Sequence, residues 1–136
     1  MYVRTRIAAV IASAAIAAGC LVAGAGPTAA AEQGARSCYG EANSYNKASG
    51  THIYPNYPNF FYLLATAACV DINIKTNTNR YVKVCFQLSA GGTQCQTDYK
   101  LATAGDWTVI ATNVKDATHY HFYFRSDAKS TGSYAS

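Results

Sequence analysis

From residue 64 onward the chain alternates between apolar and polar positions. In 69–75, Val70, Ile72 and Ile74 fall on one face and Asp71, Asn73 and Lys75 on the other. In 81–88, Val82, Val84, Phe86 and Leu88 take the inward positions. Residues 93–101 form a third, more polar segment and 107–112 a fourth. The fifth, 118–125, puts Tyr120, Phe122 and Phe124 on one face. A period of two with one apolar face marks strands that bury one side. The intervening stretches 76–80, 89–92, 102–106 and 113–117 are rich in Asn, Gly and Asp, the residues that turns require. Short strands separated by such turns predict an all-β fold, an antiparallel sandwich of immunoglobulin-like or similar type. Residues 126–136 read as a polar tail.

The portion before residue 64 lacks this pattern. Residues 32–50 are polar, with few aliphatics and no period, and predict an extended or loosely ordered lead-in that only Cys38 can tie down. In 51–62, Pro55 and Pro58 deny a helix and favour extended backbone. The same stretch carries His52, Tyr54, Tyr57, Phe60, Phe61 and Tyr62. Such aromatics supply contact area at low entropic cost. Prolines restrict an extended segment before it binds. Tyr54, Pro55, Tyr57, Pro58, Phe60 and Phe61 are therefore candidate partner-binding residues, with Tyr54 and Tyr57 the expected exposed pair. The alternative is that Phe60, Phe61 and Tyr62 enter the sandwich as a strand.

The first residues change the compartment. Arg4 and Arg6 precede an apolar, Ala/Gly-rich run over 7–26, and Ala29-Ala30-Ala31 stands before Glu32. That order predicts a secretory signal peptide over 1–31, an extended segment over 32–59 and a β domain over 60–136. Retention as a membrane anchor is the rival reading, and the small-residue composition and Ala-x-Ala end argue against it. Cys20, after Ala17-Ala18-Gly19, loosely matches a lipoprotein cleavage site, but no polar tether follows it. Cleavage after Ala31 leaves 105 of the 136 residues, enough for one core. It also removes two arginines, lowering the net charge from +4 to +2. Near neutrality, with no basic run, excludes a nucleic-acid partner, and the mature form is expected to be free of the membrane.

Four cysteines remain: Cys38, Cys69, Cys85 and Cys95. An even count in an exported domain predicts two disulfides. Their spacings of 31, 16 and 10 lack the close pairs of a zinc site. Three pairings are possible. Cys85 and Cys95 flank the Gly91-Gly92 turn, so a local bridge is cheap and would leave Cys38 to Cys69.

No catalytic constellation emerges. His119 and His121 share a strand face, but no spacing fixes a third ligand, Asp98 and Asp116 being merely conceivable, so both are expected to face solvent. There is no G-x-S-x-G, no phosphate-cradling glycine motif, and the acids are scattered. Neither enzyme activity nor a cofactor or metal is expected. Trp107 aligns with Val109 and Ala111 and reads as core.

The segments 69–73 (Cys-Val-Asp-Ile-Asn), 80–86 (Arg-Tyr-Val-Lys-Val-Cys-Phe), Cys95, 107–111, 114–118 and 120–124 resemble a layout in small secreted proteins of filamentous actinobacteria. The whole resembles the adaptor subunit of the umbrella toxin particles those bacteria secrete. That resemblance implies a compact β domain linking a lectin-like subunit to the helical repeats of a large toxin. It also implies an extended N-terminal segment that helps hold a partner, matching the residues before Phe60. The expected function is thus a secreted, non-enzymatic protein-binding adaptor in an antibacterial particle. The alternatives are a carbohydrate- or cell-wall-binding module, with exposed tyrosines as sugar platforms, and a small secreted enzyme inhibitor displaying the 89–93 loop.

Overall fold

The structure is a computed structural model that describes residues 38–56 and 62–136. Its strands are β1 (Asn43–Lys47), β2 (Ile53–Tyr54), β3 (Leu63–Leu64), β4 (Ile72–Thr76) and β5 (Arg80–Gln87), then β6 (Thr93–Cys95), β7 (Lys100–Ala102), β8 (Trp107–Ala111), β9 (His119–Phe124) and β10 (Ser130–Ala135). Two sheets form. One has the order β1-β10-β4-β8; the other runs β2-β9-β5-β6, with β3 also on β9 and β7 also on β5. Every strand pair is antiparallel.

The inner faces meet in one core. Ile72, Ile74 and Ile110 from the first sheet pack with Val82, Val84, Tyr120, Phe122 and Phe124 from the second, all at 0% exposure. The register aligns Val82 with Phe124, Val84 with Phe122 and Phe86 with Tyr120, a ladder of β-branched and aromatic residues on one face. Such cross-strand pairs stabilise a sheet beyond burial alone. The disulfides are Cys38–Cys69 and Cys85–Cys95. The second joins directly opposed residues of β5 and β6, and neither joins a strand of one sheet to a strand of the other.

Several segments depart from the sequence pattern, each for a physical reason. The 32–50 lead-in contains β1, whose Tyr45 and Lys47 are 3% and 1% exposed. The inward positions are there, but one is a lysine, which reads as surface. Its ammonium donates to the carbonyls of Thr51 at 2.6 Å and Ala128 at 2.7 Å, and lies 3.3 Å from those of Ala48 and Asp127. The expected polar tail contains β10, which lies between β1 and β4. Its small residues suit the space: at Gly132 (φ 157°) a Cβ would overlap the Lys75 carbonyl oxygen. Ser130 Oγ and Tyr45 Oη share a buried hydrogen bond of 2.8 Å.

The single strand expected over 93–101 is two, β6 and β7, both on β5. Between them the Gln96 side chain replaces a strand. Val84 N–H donates to Gln96 Oε1 at 2.9 Å, and Gln96 Nε2 donates to the Ile110 carbonyl at 3.0 Å. That amide therefore connects the two sheets. Val70 is 66% exposed because β4 begins only at Ile72, where the register shifts against β8. Leu88 is 42% exposed, just past the end of β5. Asn73, on the expected polar face, is buried because the 38–42 segment covers that outer face. Tyr39 Oη donates to Asn73 Oδ1 at 3.4 Å, and Asn73 Nδ2 donates to the Asp71 carbonyl at 3.0 Å.

Candidate binding face

The candidate partner-binding residues separate. Tyr54 sits in β2, hydrogen-bonded along β9 opposite Phe122, and packs half-buried against the core. Its ring lies 5.4 Å from that of Tyr45 and 6.3 Å from that of Tyr134. Burial raises the phenol pKa of both Tyr54 and Tyr134. Pro55 follows at a cis peptide bond and is half-buried. Tyr57, Pro58, Phe60 and Phe61 lie outside the described residues, as do the signal segment and Cys20. Cys38, Cys69, Cys85 and Cys95 are all disulfide-bonded.

The histidine pair also separates. His119 is exposed, whereas His121 is 4% exposed, not solvent-facing. Tyr62 lies over this end of the sheet, 6.1 Å from the His121 ring and 6.2 Å from that of His119. Burial lowers the His121 pKa. Among the described residues, no three His, Cys, Asp or Glu side chains form a metal-binding group, and no helix is long and apolar enough to cross a membrane.

Solvent-side chemistry concentrates on the outer face of the six-stranded sheet. The alternation that sends Val82, Val84, Phe122 and Phe124 inward sends Tyr81, Lys83, Tyr123 and Arg125 outward. Lys83 stands directly opposite Tyr123, and Tyr81 opposite Leu101 of β7. The Lys83 ammonium lies 4.7 Å from the Tyr99 ring centroid and 5.6 Å from that of Tyr123. The His52 ring stacks on Tyr123 at 5.7 Å and 13°. Arg125 places its guanidinium 4.8 Å from the Tyr81 centroid. Each cation–π contact stabilises by about 0.5–1 kcal/mol at an exposed site, enough to bias rotamers and order the face. His52 Nδ1 bonds the Phe124 carbonyl at 2.9 Å; that oxygen only accepts, so Nδ1 carries the proton. Tyr81 and Leu101 remain 44% and 45% exposed.

A smaller aromatic patch lies on the outer face of the other sheet. Trp107, expected in the main core, packs half-buried in a second cluster with Cys38, Cys69 and Ala135. Tyr39 stacks on it at 4.7 Å and is 39% exposed. The two outer faces thus present ordered aromatic side chains on opposite sides of the sandwich.

The sequence reading missed Tyr81, Lys83, Tyr99, Leu101, Tyr123 and Arg125. The signal was available: large aromatics at outward positions of strands whose inward positions are already apolar. Comparison with protein-family models, with curated proteins and with solved structures gives no match for this chain.

Proposed function

We propose that this chain is an exported, non-enzymatic binding protein that holds a protein partner on the outer face of its six-stranded sheet. The observation that carries the reading is the ordered row of His52, Tyr123, Lys83 and Tyr99, with Tyr81, Leu101 and Arg125 beside it, on the outer face of the six-stranded sheet. Tyr and Arg dominate the energetics of protein interfaces. Side chains held by strands and by one another lose little entropy on binding.

The second patch at Tyr39 and Trp107 supports an adaptor with two docking faces. With the resemblance to the umbrella-particle adaptor, this gives the specific form of the proposal: a bridge between a lectin-like subunit and a large toxin subunit. A sugar-binding role fits less well. Lys83 and Arg125 cover one face each of the Tyr99, Tyr123 and Tyr81 rings and His52 stacks on Tyr123, which leaves fewer open faces for pyranose stacking.

The test is affinity capture from native culture medium with the wild-type chain and with Tyr81→Ala and Trp107→Ala variants. Partner proteins captured by wild type, with one set lost in Tyr81→Ala and another in Trp107→Ala, support the adaptor. A chain that captures no protein but binds insoluble glycan would overturn it.

A further inference from the structure

At one end of the β5–β9 pair, Asn79, Arg80, Tyr81, Arg125 and Ser126 line a shallow cleft of about 240 Å³. No acid lines it. Two of its side-chain oxygens already accept a backbone hydrogen bond each. Asn79 Oδ1 accepts from Ala104 N–H at 2.8 Å, and its two amide N–H groups are available to donate. Ser126 Oγ accepts from Ala128 N–H at 3.1 Å, leaving the hydroxyl proton to donate. Arg80 is fixed in place, donating from Nη1 to the Asn79 carbonyl at 2.9 Å and from Nη2 to the Lys129 carbonyl at 2.8 Å. Each of those nitrogens keeps a second hydrogen. Arg80 Nε is buried without a partner. The Arg125 backbone is pinned by its N–H to the Tyr81 carbonyl at 2.9 Å, while its exposed guanidinium lies over the Tyr81 ring.

A concave site whose remaining hydrogen-bonding capacity is donor-rich, with two guanidinium groups, is complementary to an oxyanion. We propose that this cleft receives a carboxylate side chain from an acidic segment of a protein partner. The cleft opens beside Tyr81 and Leu101, so the carbons flanking the carboxylate meet an apolar neighbour, which a free inorganic anion does not need. The inference rests on the proposed binding function and assigns it a chemistry. Asp127 and Lys129 stand close in sequence but do not line the cleft.

The experiment measures fluorescence anisotropy of a labelled hexaglutamate peptide against the full chain at low salt, with hexaglutamine as the neutral control. Hexaglutamate is expected to bind and hexaglutamine not. Arg125→Ala should weaken binding at least about tenfold, because it removes a charge-assisted pair. Lys115→Ala, at the opposite end of β9, should change it less than about twofold, since it removes one exposed charge only. Equal losses in the two variants would reduce the effect to net charge and overturn the proposal. So would hexaglutamate binding no tighter than inorganic phosphate, which would make the cleft a free-anion site. Capture of the native partner distinguishes this idea from the wider one. Capture lost in Tyr81→Ala but unchanged in Arg125→Ala sinks the cleft and leaves the binding face standing; capture absent from wild type sinks both.

Discussion

Lys47→Met isolates the contribution of one buried cation. The lysine is 1% exposed, and its ammonium joins two stretches distant in sequence, the turn after β1 and the turn before β10. Three N–H donors face four carbonyls, of which those of Thr51 and Ala128 are closest. Hydrogen bonds from a charged donor contribute about 1.5–3 kcal/mol each, so the two short ones amount to roughly 3–6 kcal/mol. Removing a buried ammonium returns part of that as relieved desolvation, and methionine refills most of the volume. The net expectation is a loss of about 3 kcal/mol. For a domain near 100 residues, that lowers Tm by on the order of 12–24 °C.

Trp107 is the only tryptophan and reports unfolding in denaturant or heat. A second readout separates the charge from the packing. Burial lowers the Lys47 pKa from 10.5, so the folded state binds that proton less tightly than the unfolded chain. Wild type should therefore gain stability relative to Lys47→Met as pH rises through the lowered value toward 10.5. A Tm change under about 4 °C, or a stability difference flat across that window, would refute the reasoning.

Three further expectations follow from other elements. Gly132→Ala should cost at least about 2 kcal/mol, because its Cβ meets the backbone of Lys75 and Thr76, whereas Gly40→Ala, with open space around it, should be nearly neutral in urea titrations. Replacing Cys38 and Cys69 by alanine should destabilise by about 3.7 kcal/mol and the Cys85/Cys95 pair by about 2.7 kcal/mol, since loop entropy scales with separations of 31 and 10; the reverse order of denaturation midpoints would contradict this. Stability should fall at both pH extremes. Burial lowers the His121 pKa below 6.5, so its contribution is lost as pH drops through the folded value. Burial raises the phenols of Tyr45, Tyr54, Tyr120 and Tyr134 above 10.0, so theirs is present below that value and lost above it, with unfolding and tyrosinate absorbance expected to rise together.

The sandwich was legible wherever aliphatic and aromatic residues kept a period of two, as in β5 and β9. It was illegible where a strand faces the core with other chemistry. β1 presents Tyr45 and Lys47, and two of the four carbonyls around its lysine come from the distant turn before β10. In β10, Gly132 sits where the Lys75 and Thr76 backbone leaves no room for a Cβ, and Ser130 faces inward on a hydrogen bond to Tyr45. The break between β6 and β7 depends on Gln96 reaching Val84 and Ile110, partners that no local pattern reveals. The binding face was half legible. Outward Tyr81 and Tyr123 follow from the alternation, but their alignment with Arg125, Lys83 and His52 depends on strand register and on which strands are neighbours, both tertiary facts.

The Cys38–Cys69 bridge has a consequence for assembly. Cys38 lies just ahead of β1 and Cys69 just ahead of β4, and these two strands flank β10 on either side. Both run antiparallel to β10, so they leave the bridge in the same direction, like the tines of a fork. With β10 between them, the tines stand two strand spacings apart, about 10 Å. β10 runs back into that gap, and Ala135 packs against the two cysteines at its base. The crosslink therefore ties together, at one end, the two strands that β10 must join. Among the described residues β1 is paired with β10 alone, so without β10 it has no hydrogen-bonded neighbour and one edge of β4 lies open, an arrangement receptive to an incoming strand of any origin.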